Sequence, residues 1–194
     1  MAASPFLILL ALFFGSGCAA LVYEIVWLQL LELVIGSTGV SLGILLGTFM
    51  GGLCLGSLLL PRFAPPSWHP LRVYAVLEAG IGVLAILVLL GVPVAGRLYA
   101  AHVATGVPGL LLRGLTCAVL ILPPTILMGA TLPAIARWVR ATPDGMSRLG
   151  FFYGSNIVGA VFGCLLAGFY LLRVFDMATA TAVAVAINLA AAGI

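Results

Sequence analysis

The sequence predicts an all-α, polytopic membrane domain of about six transmembrane helices. Three observations carry that expectation. Hydrophobic residues make up 64% of the 194 and charged residues only 7%, where a soluble domain carries about 25% charged residues. The mean hydropathy is +1.32, which is more apolar surface than a water-soluble fold can hide. The apolar residues also fall into six runs, parted by short segments where Pro, Gly and Arg gather. Residues 1–194 therefore read as a single transmembrane domain embedded in a lipid bilayer, with spans at about 6–34, 40–60, 71–95, 109–137, 150–172 and 177–194.

The first span is longer than a bilayer of about 30 Å requires, so it must tilt, project or break. Gly15-Ser16-Gly17 is the candidate break, because paired glycines destabilise a helix interior. No basic segment precedes the run and it continues past Cys18, so it reads as a retained helix and not a cleaved signal. Gly36 to Gly39 makes the first turn, with Ser37 or Thr38 as the candidate N-cap. In the second span Gly43, Gly47 and Gly51 recur every four residues, and Gly52 and Gly56 add a second stripe. Small residues at that spacing let helices approach closely in lipid. Tight packing is the first reading; a moving contact surface is the sharper one. Pro61 is expected to end this helix. The connection 62–70 holds Pro65, Pro66, Trp68 and His69, and His69 is expected to be solvated.

The third span opens at Arg72, carries Glu78 six residues later and has Pro93 near its end. Residues 96–108, with Arg97, Tyr99 and His102, have amphipathic character suited to the membrane surface. The fourth span has Arg113 near its outer end and Pro123-Pro124 near its middle. Two prolines remove two backbone donors, so a kink or break is expected there. The connection 138–148 is the most polar, with Arg140, Asp144 and Arg148, and Pro143-Asp144-Gly145 signals a turn. The fifth span is rich in small residues, among them Gly154, Gly159, Gly163 and Gly168, with Asn156 as its one strongly polar member. Arg173 and Asp176 flank the last turn. The final apolar run reaches Ile194 without a polar anchor, which reads as the boundary of a fragment.

All eight basic residues are arginines. Arg62, Arg72, Arg137, Arg140 and Arg148 fall on one side of the membrane and Arg97, Arg113 and Arg173 on the other. That imbalance puts the N-terminus in the cytoplasm, and six spans put the C-terminus there too. The net charge of +3 is small, and no basic patch with interleaved aromatics suggests nucleic acid as a partner. Cys18, Cys54, Cys117 and Cys164 lie in apolar runs, form no C-x-x-C pair and match no metal spacing; they read as small buried residues. No G-x-S-x-G, H-E-x-x-H or phosphate-loop motif occurs, and no strand-forming region offers a nucleotide fold. No catalytic residue, cofactor site or metal site is therefore expected within these residues.

A charge at membrane depth costs at least a few kcal/mol, so intramembrane carboxylates are the residues to watch. Glu24, with Tyr23 beside it, Glu78 and Asn156 are the candidates to line a polar cavity between helices. Each also has a plain structural reading, hydration near the membrane boundary or hydrogen bonding within the bundle. The chain further divides into three spans plus three. The second and fifth are the glycine-rich ones; the first and fourth are the interrupted ones, at Gly15 and Gly17 and at Pro123 and Pro124. Interrupted helices at matching positions of two halves point to a transporter-type inverted repeat, in the manner of half a major facilitator. Gly and Pro are also simply frequent in membrane helices, which is the competing reading.

Five ordered blocks carry a family resemblance. They are Ser16 to Trp27 (with Tyr23-Glu24-Ile25-Val26-Trp27), Phe49 to Ser57, Pro70 to Glu78, Met128 to Pro133, and Phe152 to Ala160. Together they resemble the N-terminal membrane region of bacterial fused membrane/spermidine-synthase-like proteins, over nearly the whole chain. In that family a major-facilitator-like helical domain precedes a cytoplasmic polyamine aminopropyltransferase-like domain. One departure is Gln29, where the family often has an arginine shortly after the tryptophan. The other is that the synthase domain is absent from this chain, so its cofactor-binding and catalytic residues map onto no residue here. The resemblance implies a domain of a bacterial inner membrane. The leading expectation is a module that anchors a fused or associated cytoplasmic synthase and moves a small cationic or amphipathic product, since Glu24 and Glu78 suit a cation better than an anion. Two alternatives stand beside it: a stand-alone half-transporter that works as a homodimer through its glycine faces, and a purely structural anchor.

Overall fold

A computed structural model describes residues 3–36, 38–65, 67–102, 107–140 and 145–193. Among them every regular element is a helix. The elements are α1 (Ala3–Ile35), α2 (Thr38–Phe63), α3 (Pro70–His102), α4 (Val107–Arg140), α5 (Gly145–Leu166) and α6 (Met177–Ala192). Helix α5 continues through a π-helical turn, Ala167–Leu171, into one last turn, Leu172–Val174. Helices α1 to α5 are long and apolar enough to cross a membrane, while α6 is a shorter apolar helix. At 1.5 Å per residue α6 is about 24 Å long, a little short of a hydrocarbon core.

Most helices run longer than the apolar runs suggest, and the prolines within them do not end them. Pro61 lies inside α2, which continues to Phe63. Pro93 lies inside α3, which reaches His102 without a break, so Arg97 belongs to a helix rather than to a surface loop. Helix α4 is continuous through Pro123, Pro124 and Pro133. Threonine hydroxyls add bonds to carbonyls close to these prolines. The Thr125 hydroxyl donates to the Ile121 and Leu122 carbonyls, and the Thr131 hydroxyl to the Met128 carbonyl. Likewise α1 is unbroken at Gly15 and Gly17. It ends at Gly36, whose φ of 77° is open to glycine without strain and whose N–H closes on the Glu32 carbonyl at 2.8 Å. The candidate caps Ser37 and Thr38, and the turn at Pro143-Asp144, lie outside the described backbone or side chains. At the other end of the chain the Asp176 carboxylate caps α6, accepting from the Thr179 N–H at 2.8 Å.

Helix α1 is the hub of the bundle: it packs against α5 and α6 and also touches α2, α3 and α4. Two seams are close enough for backbone to meet backbone. On α2, Gly52 faces Thr125 and Gly56 faces the Ile126 carbonyl of α4, while Gly129 of α4 faces the Leu53 backbone. On α5, Gly159 faces the Phe14 carbonyl and Gly163 the Cys18 carbonyl of α1, while Gly17 faces the Asn156 carbonyl. A side chain at any of these positions would collide with the facing helix, so the glycines set the approach distance. Gly17, read from sequence as a break, is thus a packing residue. Gly43, Gly47 and Gly51 have no neighbour within reach of a Cβ; within this chain their stripe faces outward. Cys18 and Cys117 are buried, but Cys54 and Cys164 are exposed. Apolar character alone does not mean burial in a helix whose outer face suits lipid.

The core forms two apolar clusters, stacked along α1. One gathers Tyr23, Trp27 and Phe49 with residues of α3, α4, α6 and the π turn. The other gathers Phe13, Tyr74 and Phe152, whose rings pack at 5.6 and 6.0 Å from Phe13.

Candidate functional site

A polar layer lies where these two clusters meet. On α1 it falls between Phe13 and Ala19, on α3 between Leu77 and Ile81, and on α6 between Ala184 and Ala191. Its centre is Glu78, which is 0% exposed. The Ser16 hydroxyl of α1 donates to Glu78 Oε1 at 2.6 Å. The Asn188 amide of α6 donates from Nδ2 to Glu78 Oε2 at 2.6 Å. The Tyr23 hydroxyl of α1 in turn donates to Asn188 Oδ1 at 2.9 Å. Both carboxyl oxygens are therefore satisfied, by donors from two other helices. Tyr74, one turn before Glu78 on α3, is buried beside the carboxyl; its hydroxyl interacts with Glu78 and Ser16 but falls short of full hydrogen-bond geometry. The Trp27 Nε1 is a second buried donor without an acceptor; its ring stacks on Tyr23 with centroids 5.6 Å apart.

Each part of this layer has a local cause. Glu78 sits on the α3 stripe that carries Tyr74, Leu77, Ile81 and Ala85 inward, at the spacing of one helix face. Ser16 shares an α1 face with Phe13, Tyr23 and Trp27. Asn188 shares an α6 face with Ala180, Ala184 and Ala191, and those alanines let α6 approach closely enough to reach Glu78. Removing the carboxyl would strand two donors in an apolar interior, which is costly because neither water nor lipid can take their place.

Of the four polar residues read from sequence, the structure brings two together. Tyr23 and Glu78 join through Asn188. Glu24 is half-buried, turned by about 100° from Tyr23 around α1, and takes no part in the layer. Asn156 holds a helix seam instead: its Nδ2 donates to the Phe13 carbonyl at 3.2 Å, next to Ser155, whose hydroxyl donates to the Leu10 carbonyl at 2.9 Å. Ser16 and Asn188 are not among the site residues read from sequence, whereas Tyr74 is a candidate there to satisfy Glu78. Ser16 was hidden in a Gly-Ser-Gly run that reads as a break. Asn188 did leave a signal, a strongly polar amide in an otherwise alanine-rich span, where such a group must find a partner in another helix.

The layer thus gathers side-chain donors from α1 and α6 around a single carboxyl group on α3. Among the described residues no cluster of three metal-ligating side chains forms. Compared with family models, with curated proteins and with solved structures, the chain matches none.

Proposed function

We propose that this chain is the membrane domain of a spermidine-synthase-like fusion protein of the bacterial inner membrane. In this reading it holds a cytoplasmic synthase at the bilayer and passes a small cationic product, with Glu78 as the group that meets the charge. The observation that carries it is the Glu78 layer. An ionisable residue enclosed at membrane depth by three helices is expensive, and such residues usually mark an ion or substrate path.

The helix pairing supports a three-plus-three inverted repeat of the half-facilitator kind. Exchanging α1 with α4, α2 with α5 and α3 with α6 turns the α1–α5 seam into the α4–α2 seam, and the α1–α6 contact into the α4–α3 contact. Each seam uses a glycine pair four residues apart, Gly52 and Gly56 on one side, Gly159 and Gly163 on the other. The arginine imbalance supports cytoplasmic termini, with α6 as a sixth, short span.

Two measurements test this. Intact mass of the native membrane-extracted product should exceed that of this chain by a soluble domain. In vesicles, Glu78→Gln keeps an acceptor for Ser16 while removing the charge. It should abolish polyamine flux at unchanged expression; unchanged flux would leave only an anchor.

The half-transporter homodimer has one observation in its favour, the outward Gly43, Gly47 and Gly51 stripe on α2. If that stripe pairs two copies, Gly47→Leu will abolish crosslinked dimer in membranes and leave the monomer folded, since no neighbour within the chain opposes the new side chain. Persistence of the dimer would remove this reading.

A further inference from the structure

We propose that the cleft between the end of α2 and the start of α3 binds an anionic phospholipid, with the phosphate at Arg72. The cleft has a volume of about 530 Å³ and is lined by Leu60, Phe63, Trp68, His69, Arg72 and Val76, among others. That is within the range of small-molecule sites. It lies where two spanning helices meet their connection, so one end belongs to the membrane surface and the other to the apolar zone.

The two ends differ in chemistry. At the mouth, Arg72 and His69 are exposed, and no carboxylate lines the cleft. A second hollow of about 260 Å³ shares the same His69 and Arg72, so the guanidinium is open on both sides. Further in, Leu60, Phe63 and Val76 form an apolar wall that extends about 9 Å along α3 from Pro70. Trp68 is 57% exposed, as expected of an indole at the headgroup level. A soluble phosphate would leave the apolar wall unused, and a neutral lipid would leave Arg72 unused. An acyl chain along the wall with its phosphate on the guanidinium uses both, in the bidentate manner arginine favours.

The mouth is also held open in advance. Arg137 of α4 donates from Nη1 to the Ala64 carbonyl at 3.0 Å and from Nη2 to the Pro65 carbonyl at 2.9 Å. Its charge is engaged with backbone, and it pins the connection to the end of α4. A preformed cleft loses less ordering entropy when a ligand arrives.

The test uses the full chain purified in a mild detergent. It is titrated with phosphatidylglycerol or phosphatidylcholine bearing brominated acyl chains, which quench indole fluorescence. The Trp68 signal is the difference between the native protein and Trp68→Phe. Phosphatidylglycerol should quench it at about fivefold lower concentration, the effect of roughly one arginine at a membrane surface. Arg72→Gln should make the two lipids equal without changing the melting temperature, because Arg72 is exposed. Arg97→Gln, toward the other end of α3, should leave the preference intact. Equal quenching by both lipids in the native protein would overturn the proposal, as would a preference that survives Arg72→Gln. Displacement of the lipid by an equal concentration of inorganic phosphate would also overturn it, in favour of a soluble anion.

Discussion

Glu24 and Glu78 are the two carboxylates deep within the apolar spans, and the bundle treats them oppositely. By position along its helix Glu24 is the deeper: it lies two-thirds of the way through α1, whereas Glu78 comes only about two turns after the start of α3. Yet Glu78 is fully enclosed, with both oxygens bonded across helices, while Glu24 is half-buried and bonded to none of that layer. The difference teaches that helix phase, not depth, decides a polar residue's surroundings in a bundle. Glu78 falls on the inward stripe of α3; Glu24 falls one position past the inward Tyr23.

Substitutions can break or sharpen this contrast. The largest effect should come from Glu78→Ala, which removes both acceptor oxygens and strands the Ser16 and Asn188 donors. It should destabilise the domain by about 3 kcal/mol in a detergent-unfolding titration. A loss no greater than that of Glu24→Ala would show that the layer carries no structural weight. Next comes Asn188→Ala, which deprives both Tyr23 and Glu78 of a partner and should cost about 1.5 kcal/mol, near the upper end for hydrogen bonds between membrane helices. Ser16→Ala removes a single donor and should cost about 0.6 kcal/mol by the same assay. Glu24→Ala should change stability by less than about 0.5 kcal/mol, as do most replacements outside a bonded network.

A third carboxylate, outside the membrane spans, gives the smallest and most local effect. Its cap bond to Thr179 holds Asp176 below the usual carboxylate range. A group with a lowered folded pKa stabilises above its unfolded pKa, and that contribution is lost as pH falls through the folded value. Acidification below the usual aspartate range should therefore speed amide exchange in the first turn of α6 and leave the Glu78 layer protected. Equal protection of both regions at every pH would contradict the capping role.

Much of the fold was legible because bilayer thickness and apolar run length constrain each other. The starts of α2, α3 and α6 fall within two residues of the spans read from sequence. The helix ends were less legible, since α2 runs past Pro61, α3 past Pro93 and α4 through Pro123-Pro124. The glycine seams were half legible. Gly52, Gly56, Gly159 and Gly163 mark close approach, but periodicity does not say which stripe meets a partner, and Gly43, Gly47 and Gly51 meet none in this chain. The site was legible in Tyr23 and Glu78 only. Its other members, Ser16 and Asn188, are distant in sequence, and nothing local announces that three helices converge on one carboxyl.

The π turn in α5 has a geometric consequence. The inward positions of α5 and its continuation, Gly159, Gly163, Ala167 and Leu171, repeat every four residues. On an ideal α-helix such a row winds about 40° around the axis at each step, so by its fourth member it would have swung away from α1. A π turn is wider, and between Ala167 and Leu171 it unwinds part of that drift. The Leu172 N–H closes on the Ala167 carbonyl five residues back, and Leu171 still joins the cluster around Trp27. The continuation of α5 keeps its contact with the core because the helix is locally underwound there.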